Sequence, residues 1–192
     1  VVLLLYLYPA IVIGISIVVL HHPSSPTKLM ALGLALGGTA LTIGSIGETK
    51  PIGVVLGLAS ALVYAVYVLL GDRVMREESP IMACTVLFAA AAVVLGGLVA
   101  LQGVSLPTTV TGWAAIGAVA LISTVVAIGS LFAGIKLLGA STAAILSTLE
   151  PVVTILLAMA ILHQPITLPQ MAGGALILTS VMVLSTGKDV DY

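Results

Sequence analysis

The sequence predicts an all-α integral membrane protein with seven transmembrane helices, the remnant of a ten-helix chain made of two inverted five-helix repeats. Three observations carry that expectation. Of 192 residues 60% are hydrophobic and 7% charged, with a mean hydropathy of +1.32, whereas about a quarter of the residues in a soluble domain are charged. The apolar residues form seven runs, each near the ~20 residues that cross a bilayer core as a helix. The chain also resembles itself at an offset of 142 residues.

In order, the runs are residues 1–20, 29–46, 52–70, 80–101, 112–138, 141–162 and 170–185. No basic stretch precedes the first and no small-residue cleavage site follows it, so it reads as a membrane helix and not a leader. The linkers HHPSSPT, GETKP, GDRVMREES, QGVSLPTTVT and HQPITLP carry the Pro, Gly and polar residues of interfacial turns. None could form a soluble domain. Alternating the sides places Lys28, Arg73, Arg76, Lys136 and Lys188 together and leaves Lys50 opposite. Because Lys and Arg accumulate on the cytoplasmic side, the C-terminus is expected in the cytoplasm of a prokaryotic plasma membrane protein.

The repeat sets LLYLYPAIVIGISIVVLHHP over LSTLEPVVTILLAMAILHQP without a gap, with Pro9 on Pro151, His21 on His163 and Pro23 on Pro165. Apolar matches are cheap in such a chain; matched prolines and a histidine are not. The matched runs are the first and sixth, so they cross in opposite directions, which makes an inverted repeat of the kind common in secondary transporters. The expected domains are residues 1–47, two helices of the first repeat, residues 51–186, the complete second repeat, and a cytoplasmic tail at 187–192. With an offset of 142 and about 50 residues ahead of the second copy, about 90 residues, or three helices, are expected ahead of residue 1.

The sixth run holds the leading functional candidate. Glu150 places a carboxylate mid-span, where a charge costs about 3 kcal/mol and such residues face the protein interior and serve a pathway. Pro151 has no N–H, so the Ser147 carbonyl loses its helical donor. Helical spacing puts Ser147, Glu150 and Thr154 on one polar face. The bland reading is a carboxyl that bonds locally beside a kink; the sharper one is a cavity group meeting substrate or proton. In the first repeat Leu5, Tyr8 and Val12 occupy the matching positions. The kink at Pro9 is kept and the charge is not.

Elsewhere, Ser60, Tyr64 and Tyr67 share a face of the third run, and Tyr64 lies too deep for an interfacial belt residue. Ser123 and Ser130 line a weakly polar stripe on the fifth, although hydroxyls there can bond back to their own helix. Gly53, Gly57, Ala61 and Ala65, and on the next run Ala92, Gly96 and Ala100, are spaced for close helix packing. Trp113 and Lys136 suit interfacial anchors. The histidines follow helix ends and suit caps. Cys84 is the single cysteine and reads as packing. No spacing marks a metal or cofactor site, and six Lys and Arg leave no nucleic-acid surface. The expected partners are the lipid bilayer, a small molecule and protons, with the oligomeric state open. The chain is not expected to be an enzyme: acid–base or nucleophilic chemistry needs two groups in reach, and the spans hold one carboxylate. A structural or assembly role is the other alternative.

GLASALVYAVYVLLGDRV, GASTAAILSTLEPVVTILLAMAILHQPITLPQMAGGALILTSVMVL and, more weakly, LLYLYPAIVIGISIVVL resemble the EamA-type drug/metabolite transporter family, with the LEPV segment the most specific part. The resemblance implies a ten-helix fold that moves small metabolites, amino acids or similar compounds, often outward, through a central cavity. One departure is His163, where the family often has an acidic residue.

Overall fold

A computed structural model of the chain describes residues 2–19, 21, 24–43, 51–103 and 106–186. His22, Lys50, Lys188, the expected boundary near residue 47 and the tail at 187–192 lie outside the described residues. Among the described residues every element is a helix. In order they are α1 (Val2–Leu5), α2 (Tyr8–Val18), α3 (Pro26–Ile43), α4 (Pro51–Met75) and α5 (Pro80–Gln102). Next, α6 (Val110–Ala118) runs through a π-helical stretch, Val119–Val126, into α7 (Ala127–Leu138). Then α8 (Ala140–Leu146) runs through a 3-10 turn, Ser147–Leu149, into α9 (Glu150–Leu162), and α10 is Leu168–Thr186. Among the described residues six rods are long and apolar enough to span a membrane: α3, α4, α5, α6 to α7, α8 to α9, and α10.

The first expected span is therefore not one helix. The chain breaks at Tyr6–Leu7, where the Leu7 N–H reaches back only three residues to the Leu4 carbonyl, at 3.2 Å. Pro9 is the cause, since it cannot donate to Leu5 four residues back and its ring crowds that turn. Other ends follow from local chemistry. Ser79 caps α5 by accepting from the Met82 N–H at 3.2 Å, with Pro80 first in the helix. Thr109 caps α6 through the Gly112 N–H at 3.1 Å. At the other end of the rods, His21 and His163 hold left-handed backbone conformations, φ 55° and 53°, the usual geometry of a helix C-terminus.

The described residues form two compact units. The first takes the chain up to Leu70 and from Leu138 onward. Its main contact is α3 against α10. Gly38 lies so near Gly173 that a Cβ on Gly38 would sit 2.6 Å from the Gly173 carbonyl oxygen. Further along, the Ser180 hydroxyl donates to the Ala31 carbonyl at 2.7 Å. Numbers rise along one helix as they fall along the other, so the pair is antiparallel. Applying the 142-residue offset to one contact returns the other, Gly38 becoming Ser180 and Ala31 becoming Gly173. The same offset carries Tyr8, the start of α2, onto Glu150, the start of α9, and Pro26, the start of α3, onto Leu168, the start of α10. Ile13, Ala31, Ala35, Ile145 and Leu184 make the apolar core of this unit. Lys28, expected in a linker, stands in the first turn of α3 and is only 3% exposed.

The second unit runs from Gly71 to Leu137. Gly71 admits the Phe132 ring, which a Cβ there would meet at 3.1 Å. The Lys136 ammonium donates to the Glu78 carbonyl at 2.7 Å, holding the end of α7 to the α4–α5 turn. Arg76 and Asp72 form an exposed i,i+4 pair at 3.2 Å, worth a few tenths of a kcal/mol.

Candidate functional site

Both interrupted helices lie in the first unit, and α2 packs on α8. Their breaks bring the candidate residues together. Pro151 removes the donor that would have served the Ser147 carbonyl, and the expectation was an acceptor left free. The structure corrects this: the chain tightens to a 3-10 turn and the Glu150 N–H, one residue earlier, takes that carbonyl. A free carbonyl at membrane depth costs more than a turn of poorer geometry, so the backbone rewinds.

The rewinding presents Glu150 as the first residue of α9, with its side chain exposed and Pro151 buried beside it. Ser147 is half-buried and Thr154 exposed on the same side. Each donates its hydroxyl proton within its own helix, Ser147 to the Ala143 carbonyl at 2.9 Å and Thr154 to the Glu150 carbonyl at 2.9 Å. Thr148 does the same toward Ile145 at 2.6 Å. These bonds are the local back-bonding weighed from the sequence; they spend the protons and leave the oxygen lone pairs.

Across from this face stands a group of phenols. Tyr8, 4% exposed, donates to the Ala144 carbonyl at 3.3 Å. Its ring meets that of Tyr64 edge to face with centroids 4.6 Å apart, and Tyr64 in turn lies 5.7 Å from Tyr67. The buried Tyr6 phenol lies near enough to the Glu150 carboxylate for the two to interact. Tyr8, which the 142-residue offset carries onto Glu150, thus belongs to the same cluster.

Tyr6 was missed by the sequence reading. In a continuous helix it lies two residues, about 200°, from Tyr8 and on the opposite face. The break at Tyr6–Leu7 turns it back toward α9. Its only signal in the sequence was its nearness to Pro9. Ser60, one turn before Tyr64, is exposed. Ser123 and Ser130 are exposed in the second unit, Ser123 within the π-helical stretch. Thr124 in that stretch bonds back five residues to the Val119 carbonyl at 3.3 Å. Among the described residues no three of His, Cys, Asp and Glu gather as a metal-binding group.

Comparison with known proteins adds three findings. A family model described as the EamA-like transporter family matches residues 51–186. A Synechocystis protein described as an uncharacterized transporter is 29% identical, over 97% of this chain and 60% of its own length. A protein of known crystal structure superposes with a TM-score of 0.78 at 22% identity, over 96% of this chain and 65% of that one, a likeness of fold alone. The chain spans less than two thirds of the length of either.

Proposed function

The chain belongs to the EamA-like transporter family, and on that premise we propose that it forms the greater part of a secondary transporter that moves a small molecule by alternating access, with protons coupled through Glu150. The spans make it a multi-pass integral membrane protein. The observation that carries the finer reading is the pair of helices broken at positions one repeat offset apart. Their second halves begin at Tyr8 and Glu150, and Tyr6 lies near the carboxylate. Discontinuous helices at the interface of inverted repeats are where such transporters place substrate and coupling ion.

Support for the two repeats, residues 1–47 and 51–186, comes from the antiparallel crossing of α3 and α10, whose contacts exchange under the 142-residue offset. In this reading Ser147, Thr154, Tyr8 and Tyr64 line the substrate site with Glu150, and Pro9 and Pro151 set the breaks. Ser60, Ser123 and Ser130 are further lining groups. The C-terminus is cytoplasmic.

The mechanism needs a group that changes charge and is reached from each side in turn. Glu150 is the carboxylate of a cluster otherwise made of phenols and hydroxyls, so it is the group to which we assign the exchanged proton. When the site faces one side the carboxylate gives up a proton and is free to hold the substrate. When it faces the other it exchanges the substrate for a proton. The test is flux into liposomes that hold a pH-sensitive dye. An imposed pH gradient drives uptake of a substrate in the wild type, and a substrate gradient shifts the internal pH. Glu150→Gln keeps the shape and hydrogen bonding and abolishes both couplings. A Glu150→Gln protein with wild-type flux and wild-type pH dependence would refute the proposed role.

A further inference from the structure

We propose that the seam between α3 and α10 is a two-position joint: closed at Gly38 and Gly173 in this structure, it opens there by a pivot about the Ser180 to Ala31 hydrogen bond, and the Thr42 hydroxyl gains a partner as it opens. The inference rests on the alternating-access reading and gives it a moving part remote from Glu150.

The two ends of the seam are held in different ways. At one, the Ser180 hydroxyl donates to the Ala31 carbonyl at 2.7 Å, and Ala31, Ala35 and Leu184 share an apolar core with Ile13 and Ile145. At the other, glycine meets glycine. A Cβ on Gly173 would overlap the Thr42 hydroxyl oxygen and stand 2.5 Å from the Gly38 carbonyl oxygen. Packing closes that end, and it leaves two hydroxyl protons without acceptors. Thr39 and Thr42 are 2% and 4% exposed, and their hydroxyls have no hydrogen-bond partner among the described residues.

Other threonines in the helices solve this locally. Thr85, Thr154 and Thr179 each donate to the carbonyl four residues back, of Ile81, Glu150 and Ala175, at 2.7 to 2.9 Å. For Thr42 the same acceptor is the Gly38 carbonyl. Gly173 crowds both the Thr42 hydroxyl and that carbonyl, so the closed seam keeps the two apart. A buried hydroxyl left without a partner is destabilising, and in a bilayer core no solvent offsets it. Closure therefore gains dispersion along the glycine contact and forgoes a hydrogen bond, while opening does the reverse. Opposed terms of similar size give a packed interface two discrete positions. Ala40 lies nine residues beyond Ala31, about 13 Å along the axis, so a pivot of about 15° parts the helices there by about 3.5 Å. In the orientation read from charge that end faces outside.

The test is pulsed electron paramagnetic resonance on the chain in lipid nanodiscs, with Cys84 replaced by alanine and nitroxides on cysteine pairs. One pair, at Ala40 and Ala172, spans the glycine end; the other, at Met30 and Met182, spans the serine end. All four positions are exposed, and the 142-residue offset carries Met30 onto Ala172 and Ala40 onto Met182. The expected result is two distances at Ala40–Ala172, about 3–4 Å apart by the pivot geometry, and one at Met30–Met182. Thr42→Val keeps the shape without the hydroxyl and raises the ratio of short to long distances about fivefold or more. Thr42→Ser keeps the wild-type ratio, and Gly38→Ala, which obstructs closure, lowers it. A single Ala40–Ala172 distance in the wild type overturns the proposal, as does a ratio that Thr42→Val leaves unchanged. An equal spread at Met30–Met182 refutes the pivot. Where Thr42→Val fails to fold, the wild-type distribution and Gly38→Ala decide. The measurement needs no solute, so its failure leaves the transporter reading to be judged by liposome flux, and failure of flux leaves the joint standing.

Discussion

Two neighbouring glycines on α3 should answer the same substitution with opposite signs. A Cβ on Gly38 would stand 2.6 Å from the Gly173 carbonyl oxygen, 2.7 Å from Ile177 Cγ1 and 3.0 Å from the Ile177 N, whereas one on Gly37 would meet nothing within 4 Å. A carbon and a carbonyl oxygen in even a close contact keep about 3.3 Å, so Gly38→Ala forces the helices roughly 0.7 Å apart. A gap of that size forfeits a quarter to a half of the dispersion energy along the seam, and overpacking of this kind costs about 1–3 kcal/mol. The Ser180 to Ala31 hydrogen bond, at 2.7 Å, lengthens with it. Gly37→Ala gains up to about 1 kcal/mol from helix propensity. The two variants should therefore differ by about 2–4 kcal/mol, on the order of 5 °C or more in Tm. Size-exclusion chromatography after graded heating in detergent reads the difference. Because the nearest obstacle is backbone, adding Ile177→Ala should not rescue Gly38→Ala. A Gly38→Ala protein as stable as the wild type would refute the close approach, and rescue by Ile177→Ala would move the obstacle to the side chain.

Tyr8→Phe removes the donor to the Ala144 carbonyl and keeps the ring against Tyr64; it should cost about 0.5–1.5 kcal/mol in the same assay, and an unchanged Tm would show that this bond contributes nothing. His163→Gly relieves a left-handed conformation and should stabilise the end of α9 by about 1 kcal/mol, while His163→Val should destabilise it; equal Tm values for the two would contradict the φ of 53°. Single cysteines at Ser24 and Glu77, with Cys84 replaced, should resist an impermeant thiol reagent outside intact cells while one at Thr108 reacts; labelling at Glu77 would reverse the orientation read from charge.

Much of this architecture is legible in the sequence because the bilayer restricts what an apolar run can become. The two prolines at matched positions announce both breaks, since a missing N–H has the same consequence wherever it falls. The rearrangement they cause is less visible. A reader of the sequence can remove the donor to Ser147 but cannot see that Glu150 replaces it, because the choice between a free carbonyl and a 3-10 turn depends on the surroundings. Tyr6 was lost for the same reason: face assignments assume an unbroken helix. The π-helical stretch Val119–Val126 leaves no mark either, as α- and π-helices satisfy the same backbone groups with residues of the same kinds. Small-residue spacing proved ambiguous. Gly57, Ala61 and Ala65 are buried and Gly53 half-buried, yet Ala92, Gly96 and Ala100 are exposed, and a Cβ at Gly96 would touch nothing within 4 Å. Such spacing says how closely a neighbour could come, not whether one is there.

The break before Pro151 divides its span unequally. With 7 residues in α8 and 13 in α9, at about 1.5 Å per residue the arms are about 10 and 20 Å long. A hinge so placed is a lever. A 10° swing about the break carries the far tip of α9 about 3.5 Å but that of α8 about 2 Å, by the same rise per residue. α8 packs against α2 and α3, and α9 against α3 and α10, so a bend at the break would carry the α9 end past its neighbours further than the α8 end past its own. That lever depends on a single residue: Pro151→Ala would weld the two arms into one stiff rod, and the tip of α9 would then move only if the whole span moved with it.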